Sequence, residues 1–250
     1  MPSCRFTPRE RRLVARLRTP LQVQRWLNTL PYNTEPDGET QRSFRTVVAR
    51  GSAHCMEAAV SAATILEVHG WPPLVMSLES EDKLDHVVFV YRTRTGWGSI
   101  ARSRDPGLHG RRPVFRTLRD LACSYIEPYV DHSGRITGYG VLDLRALDPY
   151  DWRCSTRNLW HVENALIELP HRPIASADAR IDALRRRYHA FMRAHPGFKP
   201  LYYVGQHRWH PLPPVFAASV RLARTLAARR DAGTHGRPRV NRDRTRARGG

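Results

Sequence analysis

Gly51-Ser52-Ala53-His54-Cys55-Met56-Glu57-Ala58-Ala59 is the stretch from which the rest of the chain is read. It has the form of a loop that feeds into a buried helix, with a cysteine in the helix's first turn. Ser52 is the expected N-cap, because its hydroxyl can accept from the free amides of that turn. The helix should run to about Val68, where Gly70, Pro72 and Pro73 end it. Ala58, Ala59, Ala62 and Ala63 give it a small-residue surface that lets neighbouring backbone come close. A cysteine at its start lies at the positive end of the helix dipole, which favours the thiolate, the nucleophilic form. The competing reading is a buried structural cysteine, since free cysteine is among the most buried residue types.

Leu84-Asp85-His86-Val87-Val88-Phe89-Val90-Tyr91 reads as a strand, followed by a turn at Thr95-Gly96 and a second strand, Trp97-Gly98-Ser99-Ile100-Ala101-Arg102-Ser103. Asp105-Pro106-Gly107 comes next. A cysteine at a helix start, a histidine on a strand and a polar residue near the end of the adjacent strand follow a nucleophile, base, orienter order. His86, Val88 and Val90 share a face, expected to be the one on which the Cys55 helix packs, while Asp85 points the other way. Asp105, or failing it Ser103, is the candidate orienter of His86. Amides near Ser52 to Cys55 are candidate oxyanion donors. Neighbours on a helix do not face each other, so His54 is read as a wall residue or a satisfied surface histidine, and Ser52, His54 and Trp97 are the candidate oxyanion or substrate-binding residues. Glu57 is read as an acidic residue that complements the helix N-terminus.

These residues resemble the transglutaminase-like branch of the papain-like cysteine enzymes, in a bacterial-type form. The marks are Pro31-Tyr32-Asn33, Ala53-His54-Cys55-Met56-Glu57, Asp85-His86-Val87 and Gly98-Ser99-Ile100-Ala101, and the resemblance covers about residues 20–130. It implies an α+β fold in which a nucleophile helix packs on a small, mostly antiparallel sheet, with helices before and after. It also implies a cysteine-dependent hydrolase or acyltransferase that acts on an amide, peptide or ester bond through Cys55, His86 and an acid. The substrate would be peptide-like or a small amide or ester, with no metal or organic cofactor. Ala101 stands near the place of the family's usual acid, which leaves Asp105 and Ser103 as the nearby substitutes. The alternative is a catalytically weak or inactive binding module of the same fold, for nucleic acid or another polyanion.

The chain has 250 residues and a net charge of +18, and Lys83 and Lys199 are its only lysines. Arginine holds phosphates bidentately, so the charge raises nucleic acid as a partner. Much of the excess lies in Arg185-Arg186-Arg187 and in the C-terminal tail, without interleaved aromatics. Charge is therefore a secondary property. Cys4, Cys55, Cys123 and Cys154 have no Cys-x-x-Cys spacing, which points to reduced thiols in a cytoplasm. No apolar run is long enough for a membrane span, and Met1 to Phe6 carries no apolar leader, so no membrane partner is expected.

Thr7-Pro8-Arg9-Glu10 and Thr19-Pro20-Leu21-Gln22 are capping boxes with proline at the first helical position, each predicting a helix. Phe44 to Ala49 should be a short helix and Leu74 to Leu78 a strand. Residues 107–116 read as loop, Thr117 to Ile126 as helix and Ile136 to Leu142 as strand. Helices are expected over Ser155 to Leu169, from a Ser176 cap to about Arg193, and over Val215 to Arg230, with Pro170 to Pro173 as a linker. The organisation expected is a catalytic-type domain over 1–175, a helical extension packed on it over 176–231, and a disordered arginine-rich tail over 232–250.

Overall fold

In the computed structural model the described residues are 5–234. Four helices lead the chain: α1 (Pro8–Arg16), α2 (Pro20–Leu27), α3 (Phe44–Arg50) and α4 (Cys55–Glu67). Both expected capping boxes are present. Glu10 N donates to Thr7 Oγ1 at 3.3 Å while Thr7 N donates to Glu10 Oε2 at 2.7 Å. Thr19 and Gln22 repeat the exchange. α3 ends on Gly51, at φ +72°, whose N–H returns to Val47 O at 2.8 Å. That left-handed residue is the kind of cap glycine supplies without steric cost, and it turns the chain into the Cys55 loop. α4 is buried from Met56 to Leu66. Its alanines let it lie close on the sheet.

The sheet is formed by β1 (Leu74–Ser80), β2 (His86–Thr93), β3 (Gly96–Ile100), β4 (Arg111–Phe115), β5 (Ile136–Asp143) and β6 (Arg172–Pro173). Its order is β4-β3-β2-β1-β5-β6, and every neighbouring pair is antiparallel. Val75, Val87, Phe89 and Tyr91 face the core built by the four leading helices and α7 (Trp160–Ile167). Met76, Leu78, Val88 and Val90 face the opposite core, closed by α5 (Leu118–Cys123) and α6 (Ile126–Tyr129). Helices thus cover both faces of one antiparallel sheet, and the chain is of the α+β class. α8 (Asp178–Ala194) and α9 (Ala217–Thr234) complete it.

The register corrects one expectation. His86 does share a face with Val88 and Val90, but that face looks at α5, with the His86 ring 5.9 Å from that of Tyr125. His86 nevertheless reaches Cys55, because each is the first residue of its element. Two strands also replace expected loop. β4 contains Pro113, and an edge strand tolerates proline because one side of its ladder is unpaired. β6 is a two-residue edge strand inside the expected linker. α7 is shorter than expected, because Ser155 spends its hydroxyl on Arg157 N and Arg157 O rather than opening a helix. α8 is capped at Ala177, not Ser176.

Residues beyond 176 are tied to the sheet. His210 N donates to Gly110 O at 3.0 Å, and Arg112 Nε to Trp209 O at 3.0 Å. Cys55 and Cys123 are free thiols, whereas Cys154 is disulfide-bonded, which departs from the expectation of reduced cysteines throughout. Among the described residues no helix is long and apolar enough to cross a membrane. The arginine-rich tail lies outside the described residues from position 235 onward.

Candidate active site

Three local features set the Cys55 thiol at the head of α4. Ala53 is held from the side by the Pro31-Tyr32-Asn33 segment: Ala53 N donates to Pro31 O at 3.3 Å and Asn33 N to Ala53 O at 3.2 Å. His54, not Ser52, is the N-cap, with extended backbone at φ −90° and ψ −171°. Ser52 instead accepts from Arg42 Nη1 at 3.0 Å, away from the thiol. Glu57 reaches back to the cap and accepts from His54 N at 3.0 Å. The expectation that His54 and Cys55 cannot face each other fails for a physical reason: the rule holds inside a helix, and His54 stands just outside it.

Two imidazoles meet the thiol, one from each side of the cleft. His54 Nε2 lies 2.7 Å from Thr40 O, and His86 Nε2 lies 2.8 Å from Leu108 O. A carbonyl oxygen only accepts, so both Nε2 atoms carry the proton and both Nδ1 atoms are left for the sulfur. Burial opposes ionisation of the half-buried Cys55, but hydrogen bonds from His54 and His86, and their charge, outweigh it and hold the thiol well below its ordinary range. His54 answers in kind. Burial works against its charge, yet the bond to Cys55, the thiolate charge and the Glu57 carboxylate push it up to about 9. The two shifts run in opposite directions and both favour a thiolate beside an imidazolium.

Asp105 does not orient His86 here. Its carboxylate pairs with Lys199 Nζ at 2.8 Å, and its N–H donates to Ser103 Oγ at 3.1 Å. Ala101 is buried, its peptide clasped by Gln24 at 2.9 and 3.0 Å. The group that fixes the His86 ring is the Leu108 carbonyl, on a short 3-10 turn over Pro106–Leu108. Arg111 braces that turn from beneath, donating to Gly107 O and His109 O at 2.6 Å each. It is wholly buried, with its guanidinium carbon 4.1 Å from the Tyr125 ring centre and 4.6 Å from that of Trp209. Burial lowers it only to about 10, so it stays charged at neutral pH. Accordingly, Asp105→Asn should leave the rate of Cys55 alkylation within about threefold of wild type, whereas a general acid–base group contributes 10²–10⁴-fold. A larger loss would return Asp105 to the site.

Ser103 and Asp105 line the cleft with His54, Cys55 and His86, which encloses about 690 Å³. Trp97 does not line it. Its register partner is Arg92, at the opposite end of β2 from His86. Neither Leu108 nor Arg111 has a sequence signature for these roles, since one acts through its backbone and the other through burial. The spacing of His54 and Glu57, an N-cap and its third helical residue, was the available signal for His54. A scan against protein-family profiles gives no match to this chain, and a search of curated proteins gives none.

Proposed function

We propose that the chain is a cysteine-dependent hydrolase or acyltransferase of the transglutaminase-like type, acting on an amide, peptide or ester bond. The observation that supports it is a single thiol, at a helix start and open to a cleft, held ionised by two imidazoles. Cys55 thiolate attacks the carbonyl carbon, and the electron pair moves to the oxygen. The first amides of α4 lack intrahelical partners and stabilise that oxyanion. His86, holding the proton taken from the Cys55 thiol, gives it to the leaving group, and the C–N or C–O bond breaks to leave a thioester on Cys55. Water or another nucleophile, deprotonated by the neutral His86, then releases the acyl group. His54 stays charged, because Thr40 O and Glu57 hold its far side. More carboxylates than cations line the cleft, so a polyanionic partner would have to bind elsewhere.

The test is acyl transfer from p-nitrophenyl acetate, followed by intact-protein and peptide mass spectrometry. An acetyl group should build up on Cys55 within the first turnover and then disappear into water. His86→Ala should lower its formation by 10²-fold or more, and Cys55→Ala should abolish it. A folded wild-type protein that never carries acetyl on Cys55 would sink the proposal.

A further inference from the structure

We infer that the substrate of this site carries a positive charge, as an ammonium or guanidinium group, which seats among Glu35, Glu39 and Glu163 on the His54 side of Cys55. The inference rests on the cysteine-enzyme reading and adds the substrate class to it. In a chain of net charge +18, the cleft is lined by seven carboxylate residues against three lysines and arginines. Four of the seven are engaged. Asp105 pairs with Lys199, while Asp82, Asp85 and Asp131 accept from amides and hydroxyls of their own turns. Of the other three, Glu35 meets only the His54 imidazolium, and among the described residues Glu39 and Glu163 meet no cation. Glu35 accepts from Thr40 N at 2.8 Å and approaches only His54, at 3.7 Å. Among the described residues neither Glu39 nor Glu163 has an ion-pair partner within 4.0 Å. Burial and then the charge of Glu39 raise the Glu163 carboxyl, against the hydrogen bond from Gln41 and the charge of His54, with Glu35 adding a smaller rise. His54 answers one of these charges, so the cluster keeps an excess of carboxylates, and a second cation beside Glu39 and Glu163 would relieve their repulsion.

A second, independent observation is Gln41, which lines the same wall and is 8% exposed. Its backbone is fixed on both sides, by Asn158 Oδ1 at 3.1 Å and by Leu159 N at 2.6 Å. Its Nε2 donates to Glu163 Oε1 at 2.5 Å. A carboxylate only accepts, so this bond settles which way the amide points. Gln41 Oε1 is then left buried with no hydrogen-bond partner. An unpaired buried acceptor is costly, and it calls for a donor. A positively charged donor satisfies this oxygen and the carboxylates together. A neutral group answers only the first need and an anion neither.

Methanethiosulfonates that differ only in charge test this, because Cys55 thiolate displaces methanesulfinate to give a mixed disulfide whatever the tail. The tails are aminoethyl, ethyl and sulfonatoethyl, and Cys123 in the same molecule is the reference. A thiolate between imidazoles would by itself favour the anion. The acidic cluster should reverse this, giving Cys55 a preference of about tenfold for aminoethyl over ethyl at low salt, narrowing as salt is added. In the double variant Glu39→Gln, Glu163→Gln the ratio should approach one; the wild-type ratio decides alone if that variant does not fold. An equal or anion-favouring ratio in wild type overturns the inference while leaving the nucleophile standing. Cys55 inert to all three reagents overturns both. Protection against aminoethylation separates the sources of the charge. Protection by an N- and C-blocked arginine peptide assigns a basic peptide and protection by spermidine a small polyamine. Protection by neither at millimolar concentration counts against a cationic substrate.

Discussion

Iodoacetamide at pH 6 is expected to label Cys55 about tenfold faster than it labels N-acetylcysteine in the same solution. A thiol with an ordinary value near 8.5 is only about 0.3% ionised at that pH, whereas Cys55 is held well below its usual range by His54 and His86. A thiol fully ionised at pH 6 would gain a few hundredfold from ionisation alone, which is the ceiling. Part is returned, because a less basic thiolate is a weaker nucleophile, with a Brønsted slope of about 0.4–0.5. The shape of the profile is therefore more telling than one rate. Above the depressed thiol range and below about 9 the Cys55 rate should be flat, while the reference climbs steeply. Below the depressed thiol range the sulfur takes up a proton and the rate falls. Above about 9 His54 loses its proton, the ion pair dissolves and the sulfur stays ionised, so the rate rises. His54→Ala and His86→Ala should each move the onset of reactivity to higher pH. A wild-type profile that tracks N-acetylcysteine would remove the ion pair and with it the proposed nucleophile.

The parts of this fold that were legible in the sequence are those written in side chains close together along the chain. The boxes at Thr7 and Thr19, the helix start at Cys55 and the strand carrying His86 are all of this kind. Period-two alternation placed His86 with Val88 and Val90, but it carries no information about which face the α4 helix covers, and the choice made from it was reversed by the packing. β4 was hidden because Arg111, Arg112 and Pro113 lack strand propensity; what makes them a strand is pairing with β3. The orienter of His86 was invisible for a different reason. A backbone carbonyl has no residue identity, and Leu108 O is set in place by a buried arginine that composition alone assigns to solvent. His54 was misjudged by one position of the helix boundary, enough to change an interior residue into a cap.

Glu57→Gln is expected to cost about 3 kcal/mol of folding stability, the lower end of what breaking a buried charged network costs. For a chain of this size that corresponds to a fall of about 6–12 °C in melting temperature. Glu57 is wholly buried, and four donors converge on its two oxygens: Thr40 Oγ1 at 2.8 Å, His54 N at 3.0 Å, Arg42 N at 3.1 Å and Asn33 Nδ2 at 3.2 Å. Arg42 Nε adds its charge from 3.6 Å. A glutamine of the same shape must turn an NH₂ toward at least one of these donors, leaving both unsatisfied. Thr40→Ala removes a single donor and should cost about 1 kcal/mol. Urea unfolding of the two variants beside wild type measures both numbers. A loss below 1 kcal/mol for Glu57→Gln would mean that the network relaxes around the amide. The same substitution reaches the chemistry, because Glu57 joins the loop carrying Asn33, Thr40 and Arg42 to the cap that presents His54. The folded fraction of Glu57→Gln should therefore show an alkylation profile displaced toward that of His54→Ala. If stability falls and the profile stays at the wild-type position, Glu57 holds the fold but does not set the charge of His54.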